Sequence, residues 1–414
     1  MKHQASPDWT VLLEPFQSLF SKPAFRYFCV FVQVLAHLDG RLWVTHAVLS
    51  KLLDRHWTNF YGFLRSGTWN PSQVARQVFT LCLPVCRDGS ECVFVAVDDT
   101  VCKKTGKHFD GLGVHYDPMN KQHPRHLSHG HCFVAVAMLA HQAGQNAVAL
   151  FVSCALYVPK AACRKGREYH SKLALAARLL AELPEVKTLV VVADGAYAKA
   201  GFVADLVANG QFLLSRLRRD AVFYDLPPAR KPHQKGATRK FGDKHKAAVW
   251  ATPSDGWESV RLFLYGRPRF LRLKSRQVLL RRFKVTARLV AVEWTSGKIV
   301  FLFSTDLTLS DAQIVQAYAA RFAIETGFRD AKQSFGLTTY QVRNETGFVR
   351  LVHLCLWAQT LLRLRCWNTV PSDNYGGWRK PLSYLTLAQQ KRHSASQEAF
   401  FATSEEGFAQ AEAA

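Results

Sequence analysis

Acid is what this chain has too little of. Against 54 Lys and Arg it carries 31 Asp and Glu, a formal net charge of +23. An imbalance of that size points to a polyanionic partner, most often nucleic acid. Long apolar runs are also missing. The stretches at 134–140 and 147–158 fall short of a membrane span, and no Lys-rich amphipathic helix marks a membrane-surface protein. The opening residues, MKHQASPDW, contain no apolar signal region, so no secretory leader and no membrane partner are expected. The ten cysteines show no framework of paired spacings, and several (Cys29, Cys132, Cys154, Cys355) sit inside apolar segments. That excludes a disulfide scaffold and fits a reduced, cytoplasmic protein with core thiols. Cys82 and Cys86 have no matching second pair, which argues against a zinc site. No internal repeat is visible.

What is present is enough chain for two or three domains: 414 residues, 48% of them hydrophobic. Residues 1–90 show apolar positions at helical spacing through 25–38, 44–53 and 74–83. They read as an all-α N-terminal domain in which 45–59 fits either a helix-turn-helix or an ordinary bundle. From Glu91 the texture changes. Strands are expected at 92–97, 132–140, 147–152, 188–193 and 211–215, with helices at 171–183 and 196–209 and a turn around Gly144. Strands that first pair as a meander and then alternate with helices describe a mixed α/β sheet over 91–215. Residues 216–306 read as a basic, β-rich insertion. The α/β pattern returns over 307–370, with helices at 311–335 and 348–364. Residues 371–414 read as a C-terminal tail, frayed over 394–414.

Two expected strands end in acid, Asp98-Asp99 and Asp194, and a third acid, Glu325, lies on the 311–335 helix. Carboxylates from neighbouring strand ends can converge, and a helical Glu can close over them. Three such acids repel unless divalent cations bridge them, and oxygen-only ligands favour Mg²⁺ or Mn²⁺ over zinc. At about 100° per residue, Tyr318, Arg321, Glu325 and Lys332 share one helical stripe, with Arg329 beside them. One carboxylate among cations suits a metal ion held against a phosphate chain. Each acid also has a bland role open to it: Asp98-Asp99 as a strand-end cap, Asp194-Gly195 as a turn, Glu325 as a surface partner of Arg321 or Arg329. Asp98 and Asp99 point to opposite faces of a strand, so only one can join Asp194.

The chain resembles the DDE transposases of bacterial insertion sequences, in the cut-and-paste group with a Tyr-x2-Arg-x3-Glu-x6-Lys signature. Tyr318, Arg321, Glu325 and Lys332 match that spacing, Asp99-Thr100 matches the first acid and Asp194-Gly195 the second. The resemblance covers roughly residues 90–340. It implies an RNase H-like mixed-sheet core interrupted by the β-rich insertion, and two Mg²⁺ or Mn²⁺ ions held by Asp99, Asp194 and Glu325. It further implies cleavage at terminal inverted repeats, strand transfer into target DNA, a homodimer in the synaptic complex, and a nucleoid-associated location. Arg321, Arg329 and Lys332 would neutralise the DNA backbone and Tyr318 would hydrogen-bond a phosphate. Some relatives pass through a hairpin with a flipped base held by a Trp, for which Trp294 is the candidate, a buried core Trp being the bland alternative. Two rivals stay open: a DNA-binding protein that no longer cuts, and a metal-dependent structure-selective nuclease that never joins strands.

Three further clusters have sharp and bland readings. His123, His126, His129 and His131 form a zinc-like group or a loop before a strand. Lys103-Lys104-Thr105-Gly106-Lys107 is a phosphate contact or a solvated turn. The run from Arg267 to Lys284 is basic enough to meet DNA, which would make binding strongly salt-dependent.

Overall fold

The computed structural model describes residues 8–37, 44–87, 91–106, 108–141, 146–230, 233, 236–369 and 385–399. The chain begins with helices α1 (Trp9–Leu13), α2 (Lys22–His37), α3 (Val44–Leu49), α4 (Trp57–Arg65) and α5 (Pro71–Cys86). Helix α5 starts where local chemistry directs it: Asn70 accepts from the Ser72 amide and Pro71 occupies the first turn. Next come β1 (Cys92–Lys103), β2 (Gly113–Tyr116), β3 (Leu127–Ala140), β4 (Val148–Tyr157), α6 (Lys172–Ala181), β5 (Thr188–Ala193), α7 (Ala200–Ala208) and β6 (Phe212–Leu217). The β-rich stretch supplies β7 (Val222–Tyr224), β8 (Lys244–Lys246), α8 (Ala247–Trp250), β9 (Glu258–Leu264), β10 (Arg267–Leu280), β11 (Val285–Trp294) and β12 (Ile299–Ser304). Helices α9 (Asp311–Ala320), α10 (Phe322–Ser334), α11 (Glu345–Arg365) and α12 (Leu387–Ala399) complete the described chain. The turn expected around Gly144 lies outside the described residues.

One mixed sheet organises these elements, in the order β2-β3-β1-β5-β6-β12-β11-β10-β7-β8, with β4 also pairing β3 and β9 pairing β10. Strand β3 is antiparallel to both β1 and β4. Strand β5 is parallel to β1, and β6 is parallel to β5. The central strands read as continuous Val, Ala and Leu because both faces are covered. Within the β-rich segment 216–306, β12 pairs antiparallel with β6 and carries β11 and β10 with it, extending the same sheet.

Three further expectations change. Strand β1 does not stop at Asp98: its ladder with β3 runs on to Lys103 opposite Gly130, because Thr100 and Cys102 are buried and continue the pairing. The expected single helix over 311–335 is broken at Arg321 into α9 and α10. The expected tail contains α12, whose Lys391 donates to the Ser334 carbonyl at 2.6 Å and whose Ser394 is fully buried beside Arg365.

The N-terminal helices share the core of the sheet. Trp69 packs against Trp357 of α11, and Arg350 of α11 donates to the carbonyls of Leu64 and Trp69 at 3.1 and 2.9 Å. Within the bundle, Phe60 and Phe63 of α4 pack on Tyr27 and Phe31 of α2. Helix α11 is buried nearly all round, and two of its polar groups bond strand β4: Trp357 donates to the Val152 carbonyl and Thr360 to that of Phe151. No described helix is long and apolar enough to cross a membrane.

Candidate active site

The parallel pairing of β1 and β5 sets Val97 opposite Ala193. The next residue on each strand is an acid, Asp98 on β1 and Asp194 as the chain leaves β5. In a parallel register neighbouring residues share a face, so the β1–β5 pairing, continued by one residue, would put Asp194 on the Asp98 side and leave Asp99 on the other. The side-chain contacts bear this out for Asp98 and Asp99. Asp98 faces α10: Arg321 Nη1 lies 3.5 Å from Asp98 Oδ2, while Nη2 of the same guanidinium donates to Glu325 Oε1 at 2.8 Å. Tyr318 stacks on that guanidinium, 5.7 Å from its carbon, and the negative charge of Asp194 reaches the Tyr318 phenol.

Asp99, the expected partner of Asp194 and Glu325, faces α6, where Lys172 Nζ lies 2.5 Å from Asp99 Oδ2. The Tyr197 hydroxyl and the Cys132 thiol also donate to it, at 3.4 and 3.5 Å. The reason is geometric: β1 stays extended through both residues, so its pleat sends one acid to each face.

Electrostatics separate the two faces. Burial pushes the Asp98 carboxyl up to about 6, with Asp99 and Glu325 adding to the rise while the Asp99 amide and Arg321 oppose it. The Tyr318 phenol is raised, mainly by burial. The Arg321 guanidinium is only 14% exposed, and its Nε has no partner among the described residues. Lys332, one helical stretch beyond Glu325, is half-buried and near enough to Cys102 of β1 to oppose the rise of that buried thiol. Arg329 is exposed and lies 3.5 Å from its neighbour Asp330.

Two clefts border the acids. One, of about 760 Å³, runs from Asp194 past Arg216, Arg218, Arg219 and Lys246. The other, of about 470 Å³, is lined by Trp294, Tyr265, Arg269, Lys298, Arg216 and Tyr318. Trp294 is half-buried at the end of β11, its ring 6.3 Å from that of Tyr265. It lines the cleft while packing against the hydrophobic core. Arg216 and Tyr265 escaped the sequence reading, since an Arg at a strand end and a Tyr in a hairpin turn carry no spacing signal.

Among the described residues, no three His, Cys, Asp or Glu side chains are grouped so as to hold a metal ion as they stand. The donor chemistry around Arg321 still fits a hard divalent cation. Asp98 and Glu325 converge on one positive charge, and Asp194 follows the strand paired with β1. The histidine cluster is spread by its own hydrogen bonds. His126 and His129 pair with the carbonyls of Asn120 and Lys104, and His131 is buried in a stack with Phe348 and Tyr340. Lys104 is neither a phosphate contact nor solvated: its Nζ donates to the carbonyls of Thr338 and Tyr340 at 2.9 and 2.8 Å. Lys107 lies outside the described residues.

Comparison with known proteins gives the class of the chain. Residues 20–267 match the DDE superfamily endonucleases, and the chain belongs to that family. No curated protein matches it. Among solved structures it is similar to the piggyBac transposase in its synaptic complex with hairpin DNA, at 12% identity and a TM-score of 0.40, over 96% of this chain and 82% of that one.

Proposed function

We propose that this endonuclease is a transposase that cuts DNA at the terminal inverted repeats of an insertion sequence and joins the freed ends to target DNA. The observation that supports the reading is the parallel pairing of β1 and β5 just before Asp98 and Asp194, with Glu325 tied to Asp98 through Arg321. The strand order and directions of β1, β3, β4, β5 and β6 support an RNase H-like core. Asp98, Asp194 and Glu325 would hold Mg²⁺ or Mn²⁺, with Asp98 in the place first expected of Asp99. Bound there, the ions supply Lewis acidity and charge neutralisation for phosphodiester displacement.

The chain's own groups position the nucleic acid. Arg321 and Lys332 neutralise phosphate beside the acids, and Tyr318 donates to a phosphate oxygen. Arg216, Arg218, Arg219 and Lys246 carry the backbone away from Asp194. Arg329 meets DNA at the exposed rim of α10, and Trp294 offers a stacking face to an unpaired base. A homodimer bridges the two element ends, and the N-terminal helices add DNA contacts.

The test uses a plasmid carrying the DNA that flanks the gene. With Mg²⁺, wild-type protein cuts at the repeat ends and inserts the product into a second plasmid. Asp98→Asn, Asp194→Asn and Glu325→Gln each abolish both steps. Cleavage without insertion would instead identify a nuclease, and DNA binding without cleavage a silent DNA-binding protein.

A further inference from the structure

The carboxylate on the other face of β1 has a role that the reaction has not used. Asp99 accepts from three donors on three elements: Lys172 at the start of α6, Cys132 of β3, and Tyr197. Tyr197 is the informative partner. It is buried, its ring packs on Phe202 of α7, and its backbone amide closes the turn by donating to the Asp194 carbonyl at 2.9 Å. That turn decides where the Asp194 carboxylate goes once the chain has left β5. Asp194 is exposed and has no strand partner beyond it, so its direction depends on what anchors residues 195–197. A buried phenol needs an acceptor, and Asp99 is the one it has.

We propose that Asp99 is a positioning residue: held by Lys172, it fixes Tyr197 and thereby orients Asp194 toward Asp98 across the sheet. This rests on the reading of Asp98 and Asp194 as metal ligands. It gives the Asp98-Asp99 pair a division of labour, with one carboxylate facing the reaction and its neighbour fixing the opposing strand end from behind. Lys172 is the ion-pair partner of Asp99. The Tyr157 ring, 5.4 Å from the ammonium, holds the Lys172 head in place.

The experiment measures Mn²⁺ binding by electron paramagnetic resonance, together with metal-dependent cleavage of the flanking-DNA plasmid. Tyr197→Phe removes one oxygen and keeps the ring packing, so it folds. Tyr197→Phe and Asp99→Ala should each raise the Mn²⁺ concentration for half-saturation by about tenfold, the usual effect of losing a partner that orients a ligand. The number of ions bound should not change. Asp99→Asn, whose amide oxygen still accepts from the phenol, should lie nearer to wild type than Asp99→Ala. The double variant Tyr197→Phe/Asp99→Ala should be no worse than Asp99→Ala. Asp99→Asn losing Mn²⁺ as completely as Asp98→Asn would make Asp99 a ligand and overturn the proposal. Unchanged half-saturation in both Tyr197→Phe and Asp99→Ala would overturn it too. A wild type that binds no Mn²⁺, with Asp98→Asn still cutting, overturns the underlying metal reading instead.

Discussion

At Asp98 and Asp99 a single peptide bond separates two carboxylates with different surroundings. Burial beside Glu325 makes the negative form of Asp98 costly, whereas Asp99 lies against the Lys172 ammonium. Asp98→Asn should therefore lower the cleavage rate by roughly 100-fold or more, since even partners behind a metal ligand cost that much. Asp99→Asn should cost far less, and plasmid cleavage at saturating Mg²⁺ compares the two. A second residue-scale prediction concerns Lys104, whose ammonium bridges two carbonyls of the segment after α10 and lies 3.3 Å from the Tyr340 ring centre. Lys104→Met leaves those carbonyls unpaired and should destabilise the fold by about 2–4 kcal/mol, read from denaturant unfolding. The acids stand out in the sequence because two follow strands and one sits on a helix in a basic chain. Which member of the Asp98-Asp99 pair faces Glu325 was not legible: that depends on the β1–β5 register, and a register joins residues far apart in the chain.

Among the elements, α10 matters most because it carries Glu325. It approaches β4 closely through Gly327, where an added Cβ would stand 2.8 Å from Phe151 Cε2. Gly327→Val should push α10 away from the sheet and destabilise the protein by about 1–3 kcal/mol. Cleavage should fall with it as Glu325 moves from Asp98, and parallel melting and cleavage assays separate the two effects. The basic clefts make a separate prediction. Arg216 borders both, so Arg216→Ala should weaken DNA binding and make the slope of log K against log salt shallower by about 0.9. Titrations at several salt concentrations give that slope. Part of the charge seen along β10 is already neutralised, as Arg272 pairs with Glu293 and Arg276 with Asp225. Helical and strand periodicity located most elements, including β5 with the bounds expected of it. It could not show the break at Arg321, which leaves the apolar pattern of 311–335 intact. Nor could it show that the β-rich stretch joins the main sheet, because edge pairing leaves no mark on local pattern.

The whole molecule is one packed body in which buried histidines set the acid limit of stability. Burial holds His131 and His353 at about 4. In the unfolded chain both titrate near 6.5, so between pH 6.5 and 4 the unfolded state binds more protons. Stability should be full above pH 6.5 and fall as the pH drops toward 4, by about 3 kcal/mol for each histidine. Thermal unfolding across that range checks it, and His353→Gln should flatten the decline. The same packing ties α2, α11 and the sheet to the acids, so the active site has the rigidity of the core behind it. The central claim is that Asp98, Asp194 and Glu325 form one metal-binding site while Asp99 lies behind the sheet. Its most direct measurement is anomalous X-ray diffraction from crystals grown with Mn²⁺. Peaks bounded by Asp98, Asp194 and Glu325, with Asp99 still on Lys172, are the expected result. A manganese ion bound by Asp99, or three acids that never share one, would contradict it.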